Sequence, residues 1–218
     1  LGDFNKDGHL DVVTANSGSA NISVRAGDGA GSFGAEATYA VGTTPVAVVV
    51  ADFNKDGDLD IGVTNYGSDT LSMLLGAAGA TFGAATNTAT SDAPVGIVAG
   101  DFDRNGEPDA VALEAGDTTP TLVSGTDPVD VNTFTRTTTV SGSTTEDHAV
   151  GDVDNDGDLD IVVSAWGAGT LRVYDGDGTG AFLYVETIPT GSGAGSQPAG
   201  IELADMNADG WLDAVVAL

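Results

Sequence analysis

Short apolar runs recur along the chain, and turn-forming residues separate them. Residues 45–51 read Pro-Val-Ala-Val-Val-Val-Ala, and similar runs cover residues 94–100 and 198–204. A second, β-branched type of run includes residues 61–64 and 161–163. Val and Ile are enriched in strands, whereas Gly, Pro, Asn and Asp bound them. Because no segment shows a 3.6-residue apolar period, the pattern predicts an all-β chain with essentially no helix.

A nonapeptide rich in Asp, Asn and Gly lies between the first and the second run of each unit. In residues 52–60 it reads Asp-Phe-Asn-Lys-Asp-Gly-Asp-Leu-Asp. Its five copies begin at Asp3, Asp52, Asp101, Asp152 and Asp205. A spacing of 49–53 residues is typical of propellers and related repeat arrays. We therefore predict one repeat domain, residues 1–218, with units that begin near residues 1, 50, 99, 150 and 203.

Two further runs complete each unit. A third apolar run covers residues 21–25, 71–75 and 171–174 in three of the units, and a Thr-rich run precedes the next unit. Between these two runs, a Gly-rich turn ends in Phe33, Phe82, Phe134 or Phe182. Four short antiparallel strands in this length are the size of one propeller blade.

The nonapeptides carry oxygen atoms at the spacing of a loop that binds a hard cation. Ca²⁺ takes 6–8 oxygen ligands, and a Gly permits the sharp turn between them. We predict side-chain ligands at positions 1, 3, 5 and 9. At position 7 the five side chains have no common chemical group, so we predict a backbone carbonyl ligand there. The five sets of positions 1, 3, 5, 7 and 9 are Asp3, Asn5, Asp7, His9 and Asp11; Asp52, Asn54, Asp56, Asp58 and Asp60; Asp101, Asp103, Asn105, Glu107 and Asp109; Asp152, Asp154, Asp156, Asp158 and Asp160; and Asp205, Asn207, Asp209, Trp211 and Asp213.

These loops predict up to five Ca²⁺ ions with a structural role. Five or six protein oxygens in each loop leave little open coordination, and the loops recur at equivalent places. Position 4 is expected to point to solvent; it is occupied by Lys6, Lys55, Arg104, Asn155 and Ala208.

Three other interpretations of the loops compete with a calcium site. An EF-hand loop ends in a bidentate Glu at position 12 and lies between helices, whereas position 12 here is Thr14, Val63, Ala112, Val163 or Val216 in predicted strands. Metal-free Asp/Asn-Gly turns are a second interpretation, but clustered carboxylates repel one another unless a cation lies between them. Mg²⁺ is the third, and it prefers to keep water in a strict octahedron.

The combined pattern resembles the FG-GAP/VCBS repeats. The shared features are Asp-Phe-Asn-x-Asp-Gly-x-Leu-Asp before a β-branched run and a later Phe-Gly, found here in residues 27–34 and 76–83. The third unit departs from the pattern, with Pro108 and no Phe-Gly. The resemblance covers the whole chain. It implies a β-propeller of four-stranded antiparallel blades with calcium-binding loops, as in integrin α-subunit heads and many secreted bacterial proteins.

The two ends of the array indicate an arc of a larger ring. The first unit lacks the run before its loop, and the fifth stops after the run that follows its loop. Closing four blades would place two copies of the same loop and strand at one position. We therefore expect about 4–5 repeats of a longer parent chain that supplies the remaining blades, since the sequence starts at Leu1 and stops in an apolar run at Leu218.

Composition narrows the classes of partner. The chain has 33 Asp and Glu against 6 Lys and Arg, a formal net charge of −27, and the nonapeptides hold 19 of the acids. Such a surface repels phosphate, so we expect neither nucleic acid nor anionic membranes as partners. With no Cys, disulfides and Cys-based Zn or Fe–S sites are excluded. No apolar stretch reaches the 18 residues of a membrane span, so no membrane insertion is expected.

Two functions fit this sequence. The first is an extracellular, secreted or cell-surface propeller used for adhesion or for binding a protein or glycan, since extracellular calcium suits acidic, repeated sites. The second is the propeller body of a secreted polysaccharide-acting hydrolase or lyase. An enzyme needs non-repeating acidic, His or Tyr residues on one face, and Glu146, Asp147 and His148 are the sole hint of that. The balance favours a module that is not an enzyme, and a plain spacer remains a third option.

Overall fold

The computed structural model describes residues 1–90, 93–114, 121–123, 145–191 and 197–218, without the side chains of residues 121–123, 145 and 146. Its strands form five antiparallel sheets, one for each predicted unit, and one small hairpin. The first sheet contains β1 (Val12–Asn16), β2 (Asn21–Arg25) and β3 (Ala37–Ala40), and the second contains β4 (Pro45–Ala51), β5 (Asp60–Asn65), β6 (Thr70–Leu74) and β9 (Thr86–Ala89). The hairpin consists of β7 (Gly76–Ala77) and β8 (Thr81–Phe82), and the third sheet contains β10 (Pro94–Gly100), β11 (Asp109–Glu114) and β12 (Thr121–Val123). The fourth sheet contains β13 (Thr145–Gly151), β14 (Asp160–Ala165), β15 (Thr170–Gly176) and β16 (Phe182–Pro189), and the fifth contains β17 (Gly200–Ala204) and β18 (Asp213–Ala217).

These sheets are the blades of a β-propeller, as predicted. The second and fourth are complete four-stranded meanders. The first strands of the second to fifth blades follow one another side by side, in the order β4, β10, β13 and β17. Among the described residues no closed ring of blades is found, which is consistent with the predicted arc.

The expectation of almost no helix is confirmed. The only helical segment in the described residues is a single 3₁₀ turn, Trp166–Ala168. It joins β14 to β15 in the fourth blade. No helix among the described residues has the length and apolar content needed to cross a membrane.

The hydrophobic core lies between neighbouring blades. One cluster joins the first and second blades, and three more fill the following interfaces. As a result the second strands β5, β11 and β14 are buried at every residue, with one face packed on each neighbour. Burial on both faces explains why residues 61–63, 110–113 and 161–163 of these strands are apolar without alternation.

Aromatic pairs close two of the interfaces, between the first and second blades and between the third and fourth, on the side of the nonapeptides. Phe4 and Phe102, at position 2 of their loops, are 2% exposed. The ring of Phe82 in the second blade lies 5.4 Å from that of Phe4, edge to face. Phe182 in the fourth blade contacts Phe102 in the same way, at 5.4 Å. Phe82 and Phe182, which end two of the Gly-rich turns, thus pack on the loop of the preceding blade. Phe33 is exposed in the first blade, and Phe134 lies outside the described residues.

Candidate metal centres

The last four nonapeptides join the first strand of a blade to the second, the first nonapeptide precedes β1, and all five share one hydrogen-bond pattern. Position 1 accepts the N–H of the Gly at position 6 at 2.8–2.9 Å. Position 3 accepts the N–H of position 5 at 2.9–3.1 Å. Position 5 accepts the N–H of position 7 at 2.6–2.9 Å. The predicted ligand side chains thus turn inward and wind the backbone around themselves.

Left-handed backbone at two positions makes this winding possible. Position 6 is Gly in every copy, with φ between 85° and 94°. Position 4 is also left-handed, with φ from 52° to 60°, although none of its five residues is Gly. Left-handed backbone is unfavourable for residues with a β-carbon. Its recurrence in five copies therefore indicates that the loop's inward hydrogen bonds impose it.

The Asp at position 9 clamps its own loop in every blade and is buried in the first four. Its Oδ2 accepts the N–H of position 2 at 2.7–3.0 Å in all five loops. In three loops its Oδ1 also accepts the N–H of a Gly at the end of the third strand, at 2.7–2.9 Å. Asp11, Asp60, Asp109 and Asp160 are completely buried. This residue therefore holds the loop and the third strand together, besides its predicted role as a ligand.

That third-strand Gly must be Gly because two backbones approach closely there. A β-carbon on Gly76 would lie 2.2 Å from the carbonyl oxygen of Leu59, and one on Gly176 would lie 2.3 Å from that of Leu159. Real β-carbons do not come so close to backbone atoms.

The carboxylates come together as a cation site requires. In the third and fourth loops, where positions 1, 3 and 9 are all Asp, these residues offer oxygens within 4.8 Å of one another. Oδ1 of Asp52 and Oδ1 of Asp101, both at position 1, are buried and accept no hydrogen bond. Buried polar atoms are normally satisfied, and a cation would satisfy these. The donor set, all hard oxygen, fits Ca²⁺.

Burial also destabilises the charged form of several of these carboxyls. It raises the pKa of Asp160 to about 6, although the N–H groups of Gly176 and Val153 oppose the change. The same cause raises the pKa of Asp60. A cation held among these groups would favour their ionised form.

Asp175, on β15, is a candidate ligand outside the nonapeptides. Its carboxylate comes within 4.8 Å of those of Asp154 and Asp156, which are positions 3 and 5 of the fourth loop. Burial is the main cause that raises the pKa of Asp175, and the negative charges of the fourth loop raise it further. The repeated motif does not predict this residue, because it lies outside the nonapeptide. The signal in the sequence is an acid immediately before the Gly whose N–H binds the Asp at position 9. The first two units have Ala26 and Leu75 at that place.

The position 4 residues are exposed, as expected, but three of the five also contact the next blade. Lys6 forms an ion pair with Asp58, and Arg104 forms one with Asp158. Asn155 donates from Nδ2 to the carbonyl of Gly210 at 3.2 Å. Because each partner belongs to the next blade, spacing within one loop could not reveal these contacts.

Asp147 and His148 do not converge on a pocket. Oδ2 of Asp147 accepts the N–H of Ile201 in the fifth blade at 2.9 Å. His148 turns the other way, with Nε2 3.2 Å from the carbonyl oxygen of Ile97 and its ring against Gly96 in the third blade. These residues thus join three blades, and the side chain of Glu146 lies outside the described residues.

We expect replacement of His148 by Val, the residue at the matching position 48, to weaken the loss of stability on acidification. Burial lowers the pKa of His148 below its ordinary 6.5, against the opposing effects of the Ile97 carbonyl and Asp147. As pH falls through 6.5, the unfolded chain therefore takes up this proton first, and the folded state loses stability. Thermal melts from pH 7.5 to 5.5 measure the difference. The exposed His9, changed to Gln, is the control and should keep the wild-type dependence; equal slopes in all three proteins would contradict the assignment.

The two tryptophans are both partly open to solvent. Trp166 is 37% exposed in the 3₁₀ turn, and Trp211 is 52% exposed at position 7 of the fifth loop. Neither is a buried packing residue, and the exposed face of each is available to a ligand.

Comparisons with known proteins give a family and a fold. A family model described as FG-GAP-like repeat matches residues 3–63 and 152–216. A comparison with curated protein sequences found no match. Among solved structures, the chain is similar to the crystal structure of BBS1N in complex with ARL6DN, soaked with mercury, with a TM-score of 0.52 and 18% identity over 78% of this chain and 50% of that one. The same complex soaked with lead gives a TM-score of 0.49 and 16% identity, over 78% and 49%. The chain thus spans about half the length of these neighbours, and the likeness concerns the fold alone.

Proposed function

The chain belongs to the family of FG-GAP-like repeat proteins, and from this premise we propose that it is a calcium-dependent interaction module on the outside of the cell. Each nonapeptide would hold one Ca²⁺ through the side chains of positions 1, 3, 5 and 9 and the carbonyl of position 7. The observation that carries this proposal is the convergence of three carboxylates within 4.8 Å in the third and fourth loops.

The metal's role in this proposal is structural. The last four loops each connect two strands of one blade, and the position 2 side chains of the first four loops pack into the core between two blades. A cation that neutralises three or four carboxylates would hold the loop closed and so support both the blade and its interface. Calcium at millimolar concentration outside cells suits sites of moderate affinity, which cytosolic calcium would leave largely empty.

A protein or a glycan is the proposed ligand. The strongly negative chain disfavours nucleic acid and anionic membranes. BBS1N, the structural neighbour with a TM-score of 0.52, was crystallised in complex with ARL6DN, and a protein partner is in keeping with that. The enzymatic alternative gains no support from the described residues, because Asp147 and His148 point to opposite blades.

Calorimetric titration of Ca²⁺ into the chelator-treated protein tests this proposal. We expect up to five bound ions, and weak binding of Mg²⁺ under the same conditions. Protein and glycan arrays, probed with and without Ca²⁺, should then show ligands that are lost in chelator. Absence of any calcium binding would overturn the proposed function.

Asp175→Leu, which introduces the residue of the second unit, should weaken calcium binding at one site. The change removes a carboxylate that lies beside positions 3 and 5 of the fourth loop, and ligand charge is one determinant of calcium affinity. We expect a loss of roughly tenfold at that site alone, on the scale of one lost charge interaction. The reciprocal variant, Leu75→Asp, should strengthen the second loop. Unchanged affinities in both variants would exclude Asp175 as a ligand.

A further inference from the structure

The position 4 side chain of each of the first four loops reaches across the blade interface to the next loop. Nζ of Lys6, in the first loop, lies 2.8 Å from Oδ1 of Asp58, at position 7 of the second. In the third loop, Nε of Arg104 forms an ion pair with Asp158, at position 7 of the fourth.

The two remaining junctions have the same geometry. The ammonium of Lys55 lies against Gly106 in the third loop, where a β-carbon would come within 3.1 Å of it. Asn155 donates to the carbonyl of Gly210 in the fifth loop at 3.2 Å. Position 4 thus meets position 6 or 7 of the next loop at all four junctions, because its left-handed backbone directs the side chain out of its own loop.

The charges of the partners match from one repeat to the next. A cationic position 4 precedes each of the second, third and fourth loops, whose position 7 residues are the acids Asp58, Glu107 and Asp158. The fifth loop has Trp211 there, and the residue that reaches it is the neutral Asn155. Variation at positions 4 and 7, which differ freely when each loop is read alone, is therefore paired between successive loops.

We propose that the basic residue at position 4 is a tethered counter-ion of the next loop, where it stabilises the metal-free carboxylates and opposes the incoming cation. The inference rests on the proposed calcium binding. A fixed positive charge at the edge of an acidic loop lowers the repulsion among its carboxylates, and it repels a divalent cation that enters the same loop. The calcium affinity of the second, third and fourth loops is therefore lowered, whereas that of the fifth loop is not.

Arg104→Gln is the sharpest test, because the fourth loop has the most carboxylates and a matched control exists. Arg25 also forms one ion pair, with Glu36 just before β3 in the first blade, and the side chains of Arg104 and Arg25 are similarly exposed, at 52% and 44%. Arg25→Gln therefore makes the same change in net charge and loses an ion pair away from the nonapeptides.

Calcium affinity by calorimetry and the melting temperature in chelator are measured for both variants and the wild type. In Arg104→Gln we expect one site to bind calcium roughly threefold to tenfold more tightly, and the metal-free protein to melt about 2–4 °C lower. In Arg25→Gln the calcium affinity should equal that of the wild type. Adding Asp152→Asn to Arg104→Gln should abolish the gain in affinity, which would place it in the fourth loop.

Equal calcium affinity in Arg104→Gln and the wild type overturns the inference and leaves the proposed function intact. An equal gain in calcium affinity in Arg25→Gln would also overturn the inference and leave the proposed function intact, because the gain would then be an effect of net charge alone. If the wild type itself binds no calcium, the proposed function fails as well, and the titration of the unmodified protein reveals this before any variant is made.

Discussion

Removal of calcium is expected to lower the melting temperature of this protein by more than roughly 20 °C. A site at a 100-fold excess of ligand over its dissociation constant contributes about 2.7 kcal/mol, which for a chain of this length corresponds to about 5–10 °C. Up to five sites add such contributions. Because four of the loops join two strands of a blade and four pack a side chain into the core between blades, opening of the loops would expose strand edges and core.

Thermal melts in excess chelator and in millimolar Ca²⁺ measure this difference. Mg²⁺ at the same concentration is the control, and we expect it to restore little of the stability because it prefers to keep its water and a strict octahedron. Equal melting temperatures in chelator and in calcium would show that the loops are metal-free turns. The hydrogen bonds from positions 1, 3 and 5 to the loop's own N–H groups would then be sufficient by themselves.

Replacement of Asp60 by Ala is expected to destabilise the protein by roughly 2–6 kcal/mol even in chelator. Its carboxylate is completely buried and accepts the N–H of Phe53 at 2.8 Å and that of Gly76 at 2.7 Å. The variant leaves both donors without a partner, and each such donor costs about 1–3 kcal/mol. The melting temperature should fall by roughly 5–20 °C.

Asp56→Ala in the same loop is the matched control. Asp56 is exposed and accepts only the N–H of Asp58 and the side-chain amide of Asn54. In chelator we expect this variant to melt close to the wild type, and in calcium to bind one ion fewer. If Asp60→Ala had the melting temperature of the wild type in chelator, the Asp at position 9 would serve only as a metal ligand and would not act as a clamp.

The elements of the fold could be predicted because their causes are local. The predicted run at residues 45–51 is the strand Pro45–Ala51, and the one at 94–100 is Pro94–Gly100. β-Branched residues favour strands, and Asp, Asn and Gly favour turns, whatever the surroundings. The five nonapeptides likewise contain the hydrogen-bonded winding of their own loops, since its donors and acceptors lie within five residues of each other.

Contacts between blades could not be predicted in this way. Lys6 and Asp58 are 52 residues apart, and Asp147 and Ile201 are 54 apart. Pairs from different blades meet only when the sheets pack side by side, and the period of one repeat contains no information on which side chain faces the neighbouring blade. Asp156 and Asp175 lie in one blade, but they come together only when β15 packs beside the loop between β13 and β14.

The sequence by itself determined the blades and the candidate calcium loops, because the repeat period, the strand-forming runs and the oxygen-bearing positions are all local properties. The packing of the blades determined three further features. Position 9 is buried as a clamp, position 4 binds the next loop, and Asp147 and His148 point to different blades. The physical reason is that burial and the pairing of charges are properties of the interface between two sheets, and each sheet contributes only half of that interface.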